Sequence, residues 1–267
     1  MPLKNKFLRL SWIDGLLLLA IAGLSIGLLA MLLEPVVKAW KNRPRPGMQV
    51  PQQCLVKQGT DASATQIPVD YLLYLPQKVK ERDKWPLVVY LHGSGARGHN
   101  LELVQREWLP QQTAHGEQFP FILASPQCPT GLSWSPELIV EWVEQVSRSF
   151  PVDRDRVYLT GYSMGGFGTW ATAIHDPGRF AAIAPLCGGG DIERVDRLKN
   201  TPIWAFHGGK DKTVPPKASQ NTVDAVRKCG GHPQLTIFPD AGHGICRRTY
   251  QNKGFWEWLL EQRRSLN

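Results

Sequence analysis

Residues 156–170, RVYLTGYSMGGFGTW, restrict the chain to very few architectures. Val157, Tyr158 and Leu159 favour a strand, Gly161-Tyr162-Ser163-Met164-Gly165 follows, and a helix-compatible stretch then runs to His175 before Pro177 stops it. A strand that turns this sharply into a helix presses backbone against backbone, which is why glycines flank the turn. Ser163 at the apex is expected in a strained conformation, its Oγ clear of the chain at the carboxyl end of a strand. It is a candidate nucleophile, and the Met164 N–H at the start of the helix is a candidate donor to an oxyanion.

The rest of the chain alternates strand and helix around this unit. The segment 67–75 alternates (Ile67, Val69, Tyr71, Leu73, Leu75) as a strand with one buried face does, whereas 87–91, LVVYL, is apolar throughout, like a strand covered on both sides. Further strands are expected at 119–124, 180–186, 202–206 and 234–238. Helices are expected at 216–228, at 255–263, and after Ser135, a suitable cap followed by Pro136 and a stripe of Leu138, Ile139, Trp142, Val143, Val146 and Phe150. This order predicts an α/β fold, a mostly parallel central sheet with helices on both faces. The loops 94–118 and 126–135 are long enough to form a lid.

The net charge of +8 is concentrated at one end: residues 1–50 carry seven basic and two acidic side chains. The excess flanks residues 15–33, GLLLLAIAGLSIGLLAMLL, nineteen residues without a charge. At 1.5 Å per residue a helix of that length reaches ~28 Å, the thickness of a hydrocarbon core. The expected partner is therefore a membrane and not a nucleic acid. The expected organisation is a basic tail at 1–14, a transmembrane anchor or uncleaved signal at 15–33, a Pro-rich linker at 34–53 kept outside any sheet, and one catalytic domain at 54–267. That domain is expected on the extracytoplasmic side, with secretion after signal cleavage as the alternative. Five scattered cysteines show no metal-ligand spacing. Cys229 with Cys246 is a candidate bridge, and Cys128 and Cys187 read as buried small hydrophobes.

A nucleophilic serine needs a histidine base and a carboxylate to orient it, and in a parallel sheet these come from loops at the carboxyl ends of strands. Asp211 follows the strand ending at Phe206, and His243 follows the last strand within Ala241-Gly242-His243-Gly244. Asp191 and Asp240 are rival carboxylates. His92 and His207, each followed by glycine, read as hydrogen-bonded structural histidines. The Ser94 N–H, in the loop after Leu91, is the candidate second oxyanion donor beside Met164. Trp108 and Trp134 are candidates for pocket or core.

LHGSGARGHN, SPQC, VDRDRVYLTGYSMGGFGTW, FAAIAPLCGGGD, PIWAFHGGKDKTVP and AGHG together resemble α/β-hydrolases of the single-domain predicted peptidase and carboxylesterase-like kind, related to dienelactone hydrolase and to prolyl oligopeptidase catalytic domains. The resemblance covers about residues 65–263. It implies the α/β-hydrolase fold, Ser163 as nucleophile, His243 as base, Asp211 as acid, and an oxyanion hole of Ser94 and Met164. The resemblance does not settle the substrate, since one fold hosts many activities; the expected reaction is cleavage of a carboxylic ester through an acyl-enzyme, with no cofactor or metal, and a small peptide substrate or a non-catalytic binding role are the alternatives. The chain departs from the H-D-S-W that follows the base in such proteins, having His243-Gly244-Ile245-Cys246.

Overall fold

The computed structural model describes residues 31, 34, 42–59 and 65–264. Contacts divide the chain into two units, Met1–Arg43 and Pro44–Asn267. Among the described residues no helix is long and apolar enough to cross a membrane, and the expected anchor at 15–33, apart from Met31, lies outside them.

The second unit is built on one eight-stranded sheet in the order β1-β2-β4-β3-β5-β6-β7-β8. Its strands are β1 (Gln49–Gln58), β2 (Thr65–Tyr74), β3 (Trp85–Leu91), β4 (Ile122–Pro126), β5 (Val152–Tyr162), β6 (Ala182–Leu186), β7 (Trp204–Gly208) and β8 (Gln234–Phe238). β1 and β2 are antiparallel to their neighbours, and from β4 onward every pairing is parallel. The helices are α1 (Leu101–Gln105), α2 (Trp108–Ala114), α3 (Pro136–Ser149), α4 (Met164–His175), α5 (Lys217–Lys228), α6 (Cys246–Tyr250) and α7 (Lys253–Glu261).

Alternation along the strands sorts side chains into two apolar layers. Leu87, Val89 and Leu91 of β3 face a layer with Trp142 of α3, Trp170 of α4 and Val223 of α5. Val88 and Tyr90 face the other, with Leu109 of α2, Tyr250 of α6 and Phe255 of α7. The helices thus cover both faces, and β3 is buried at all seven positions. Ser135 caps α3 as its sequence suggests, accepting from the Leu138 N–H at 3.3 Å.

Four expectations are corrected. Residues 49–53 are not linker: they begin β1, which pairs with β2 over ten residues. Pro51 is tolerated because β1 is an edge strand, where a missing N–H breaks no ladder. β2 is not half-buried throughout, since Tyr71 to Tyr74 are all buried and Leu73 and Tyr74 face different layers. The 94–118 segment is no simple loop either, because it folds into α1 and α2, and Leu109 of α2 packs under the sheet. All five cysteines are free, so Cys229 and Cys246 form no bridge.

Candidate active site

β5 carries Ser163 to the carboxyl edge of the sheet, and α4 departs from the next residue. Ser163 has φ 56° and ψ −115°, a region that side chains avoid and glycine accepts. The surroundings enforce it. The Ser163 N–H donates to the Leu186 carbonyl of β6 at 2.9 Å, and a methyl group on Gly165 would collide with the Leu91 carbonyl of β3. Gly165 therefore lets β3 and the start of α4 touch, and the serine takes up the resulting bend.

His243 stands over this serine, its Nε2 2.9 Å from Ser163 Oγ and its Nδ1 2.6 Å from Asp211 Oδ2. A carboxylate oxygen can only accept here, so Nδ1 carries the proton and Nε2 is left as the acceptor for the serine hydroxyl. β7 and β8 are adjacent parallel strands, so the loops after them meet: the Gly209 N–H donates to the Phe238 carbonyl at 2.7 Å and the Lys210 N–H to the Ala241 carbonyl at 2.8 Å. This juxtaposition brings Asp211 to His243. Asp191 follows β6 instead and is exposed, holding the Glu193 N–H of its own turn, and Asp240 is exposed and paired with Arg248 at 2.8 Å.

Asp211 is buried and fully engaged. Oδ1 accepts from the Thr213 and Val214 N–H groups at 2.9 and 3.0 Å, and His207 Nε2 approaches Oδ2 at 3.3 Å. Burial by itself raises its pKa, but the His243 hydrogen bond and the two backbone donors outweigh burial and hold the carboxyl below its ordinary value. His207 is buried between Ser219 Oγ (2.7 Å) and the Val214 carbonyl (2.9 Å), a bracket for the Asp211 loop. Cys187, the other non-glycine residue with positive φ (49°) among the described residues, donates its thiol to the His243 carbonyl at 3.4 Å. Burial pushes this thiol well above its ordinary value, and the Asp211 carboxylate adds to the effect, so it stays protonated. The possible ligand atoms of Cys187, His207 and Asp211 lie within 4.8 Å of one another. Each already has a protein partner, so the cluster reads as packing behind the histidine and not as a metal centre.

Ser94 opens a short 3-10 turn, Ser94–Ala96, directly after β3, and Met164 opens α4. Neither N–H has a backbone acceptor among the described residues. The loop is held close to the elbow, since a methyl on Gly93 would lie 3.3 Å from the Tyr162 ring. His92 fixes it further: Nδ1 faces the Gly93 carbonyl at 2.6 Å and Nε2 accepts the Cys128 N–H at 3.0 Å. These partners require the neutral ring, and burial lowers its pKa to about 4. Trp134 donates to the His92 carbonyl at 3.2 Å and packs in the core while also lining a cavity beside Met164, and the half-buried Trp108 packs against the core, stacking on Tyr250 at 5.7 Å.

One contributor escaped sequence reasoning. The half-buried Glu107 carboxylate stands behind the Ser94 loop, accepts from Tyr90 Oη at 2.8 Å and is further stabilised by the Gly93 backbone N–H. Burial nonetheless raises its pKa. Nothing local marks a lone glutamate as the support of a loop more than ten residues before it.

The sequence profile of the dienelactone hydrolase family matches residues 103–255, more than half the chain. A Salmonella typhimurium protein provisionally named carboxymethylenebutenolidase is 31% identical over 124 residues, 41% of this chain and 46% of that one. The bifunctional acetylxylan esterase/xylanase XynS20E of Neocallimastix patriciarum is 27% identical over 152 residues, 54% of this chain and 22% of that one. The chain thus spans less than half the length of these curated relatives. Among solved structures, a thermostable esterase superposes with a TM-score of 0.64 at 32% identity, over 79% of this chain and 63% of its own. A dienelactone hydrolase homologue from Klebsiella pneumoniae, with a TM-score of 0.55 at 17% identity over 80% of this chain and 98% of its own, shares the fold. With the strand order, the elbow and the profile in agreement, the chain is an α/β-hydrolase and belongs to the dienelactone hydrolase family.

Proposed function

We propose that the protein is a serine esterase that cleaves small carboxylic esters through an acyl-enzyme. The observation that carries this reading is the relay from Asp211 Oδ2 through His243 to Ser163 Oγ, at 2.6 and 2.9 Å, on a serine held at φ 56°. His243 Nε2 takes the hydroxyl proton as Ser163 Oγ attacks the ester carbonyl, and Asp211 stabilises the imidazolium that forms. The negative oxygen of the tetrahedral intermediate is met by the unpaired N–H groups of Met164 and Ser94. Collapse expels the alcohol, which receives the proton from His243, and a water repeats the sequence on the acyl-enzyme. Esterases among the relatives and structural neighbours support an ester ahead of a peptide. No step in this scheme calls on a cofactor or metal.

The test is turnover of p-nitrophenyl esters beside aminoacyl anilides by the full chain and by Ser163→Ala. The account expects serine-dependent ester hydrolysis with little anilide cleavage. Predominant anilide cleavage makes the protein a peptidase, and silence on both favours a non-catalytic binding role.

The nineteen uncharged residues at 15–33 support a second part of the proposal, that the domain is tethered to a membrane; the site is proposed to lie on the extracytoplasmic side, although basic residues flank the segment at both ends. Alkaline carbonate should leave the protein in the membrane pellet, and external protease should reach the domain in intact cells. Release by carbonate refutes the anchor, and protection from protease refutes the orientation.

A further inference from the structure

The face that α4 turns to solvent has the wrong chemistry for a surface helix. Of its twelve residues only Met164, Phe167, Ala171 and His175 are not buried, and their spacing of three, four and four places them in one stripe. A surface helix ordinarily presents polar side chains there. Here the first three are apolar, and Phe167 is 41% exposed.

The stripe is the floor of a trough. Near the serine it is a cavity of about 370 Å³ walled by Ser133 and Trp134 above Met164, Phe167, Gly168 and Ala171. A larger cavity of about 650 Å³ shares Phe167 and Ala171 with it and continues past Ile192 to His175 and Glu137. Ile192 is 56% exposed, and Leu132, next to Ser133, is 57% exposed, so large apolar side chains are displayed on both sides of Phe167. At 1.5 Å per residue, Ala171 lies ~12 Å and His175 ~18 Å along the helix from Ser163. The trough is thus apolar beside the serine and becomes charged at its far end, where His175 Nδ1 pairs with Glu137 at 3.3 Å and Asp191 and Arg194 line the wall.

We infer that this trough binds the acyl part of the substrate, and that the preferred substrates are esters of elongated apolar acids of medium length. The inference rests on the esterase reading above. The side of the serine decides between acyl group and alcohol. The alcohol oxygen must lie against His243 Nε2 to receive its proton, and Ala241, Ile245 and Cys246 around that histidine pack in the apolar layer on the other face of the sheet. His243 itself leans on the Tyr162 ring at 4.8 Å. No residue of the His243 loop lines either cavity. A substrate with its alcohol at His243 and its carbonyl oxygen on the Met164 N–H sends its acyl chain away from His243 and over Phe167. Gly168 lets Trp134 sit directly against α4, because a methyl there would come within 2.7 Å of the Trp134 ring and displace that wall.

The test compares p-nitrophenyl esters from acetyl to dodecanoyl, and a matched series of acetate esters with growing alcohols, on the full chain. Burying each added acyl methylene is expected to raise kcat/KM about fourfold until the chain approaches the charged end, after which it falls. The acetate series should show no such rise. Ala171→Phe fills the junction of the two cavities and should lower the octanoyl-to-acetyl ratio of kcat/KM by at least tenfold, the ratio being read within one preparation. Phe167→Ala, which removes bulk and so serves if the larger side chain prevents folding, should move the optimum to longer or wider acyl groups. A flat acyl series, ratios unmoved by both variants, or a rise confined to the alcohol series overturns the assignment while leaving the esterase reading intact. Absence of Ser163-dependent turnover on every ester refutes the esterase reading itself, and this assignment with it.

Discussion

Replacing Ser163 by glycine should make the protein inactive and more stable than replacing it by alanine. Both substitutions remove the hydroxyl and its 2.9 Å contact with His243, so that loss cancels in the comparison. What remains is the backbone. At φ 56° and ψ −115°, alanine keeps the strain of a side chain in a sparsely allowed region, of order 1–3 kcal/mol. Glycine adopts the same angles without penalty, since they mirror an ordinary extended conformation. Against this, glycine loses about 0.5–1 kcal/mol more backbone entropy on folding than alanine does. The net expectation is that Ser163→Gly exceeds Ser163→Ala by up to about 2.5 kcal/mol, with about 1 kcal/mol at the middle of the ranges, or ~2–4 °C in Tm per kcal/mol for a domain of this size. Urea unfolding of the two variants, followed by tryptophan fluorescence, measures the difference. At an unstrained position the sign is reversed. A glycine variant less stable than the alanine variant would show that the elbow stores no strain and that the bend is comfortable for a side chain.

Acid should destabilise the fold through His92. Its pKa is about 4 when folded against 6.5 for the free side chain, so the unfolded chain binds the extra proton between those values and stability falls as pH drops through that window. The full loss is about 3 kcal/mol, and in His92→Gln the unfolding free energy measured across pH 7 to 4 should slope less steeply than in the wild type. Asp211 adds in the same direction: its depressed pKa contributes stability above the unfolded value, lost as pH falls through the folded one. Asp211→Asn should reduce kcat by about 10⁴ with KM little changed, because the His243 tautomer is no longer fixed. A loss below tenfold in steady-state assays contradicts the role given to Asp211. Gly165→Ala drives a methyl into the Leu91 carbonyl, which cannot move without breaking β3, and should cost more than ~3 kcal/mol or prevent folding. Wild-type stability in a thermal melt refutes that packing.

The sequence announces the elbow and much of the sheet because those features are local. Gly161, Ser163 and Gly165 are spaced by the geometry of one turn, and apolar runs such as LVVYL mark β3 wherever it finally sits. Long-range pairing is less visible. Nothing between residues 42 and 53 says that a proline-rich stretch will find β2 as an edge partner, and prolines argue against a strand until the edge position is known. Asp191 and Asp211 look equivalent along the chain because both follow strands. Only the placement of β7 beside β8 brings one of them to His243. The Met164, Phe167, Ala171 stripe is present in the sequence too, but its exposure depends on α3 and the 189–194 loop leaving it uncovered. α1, α2 and α6 are too short for periodicity to declare them.

The central claim is that His243 and Asp211 activate Ser163 as a nucleophile, and covalent capture tests it most directly. The full chain would be treated with an alkyl fluorophosphonate, digested, and the phosphonylated peptide located by mass spectrometry. Attack by Ser163 Oγ on phosphorus with loss of fluoride predicts one adduct, on Ser163. It should be absent in Ser163→Ala and formed far more slowly in His243→Ala. An adduct on another residue, or labelling that proceeds as fast without His243, would contradict the account.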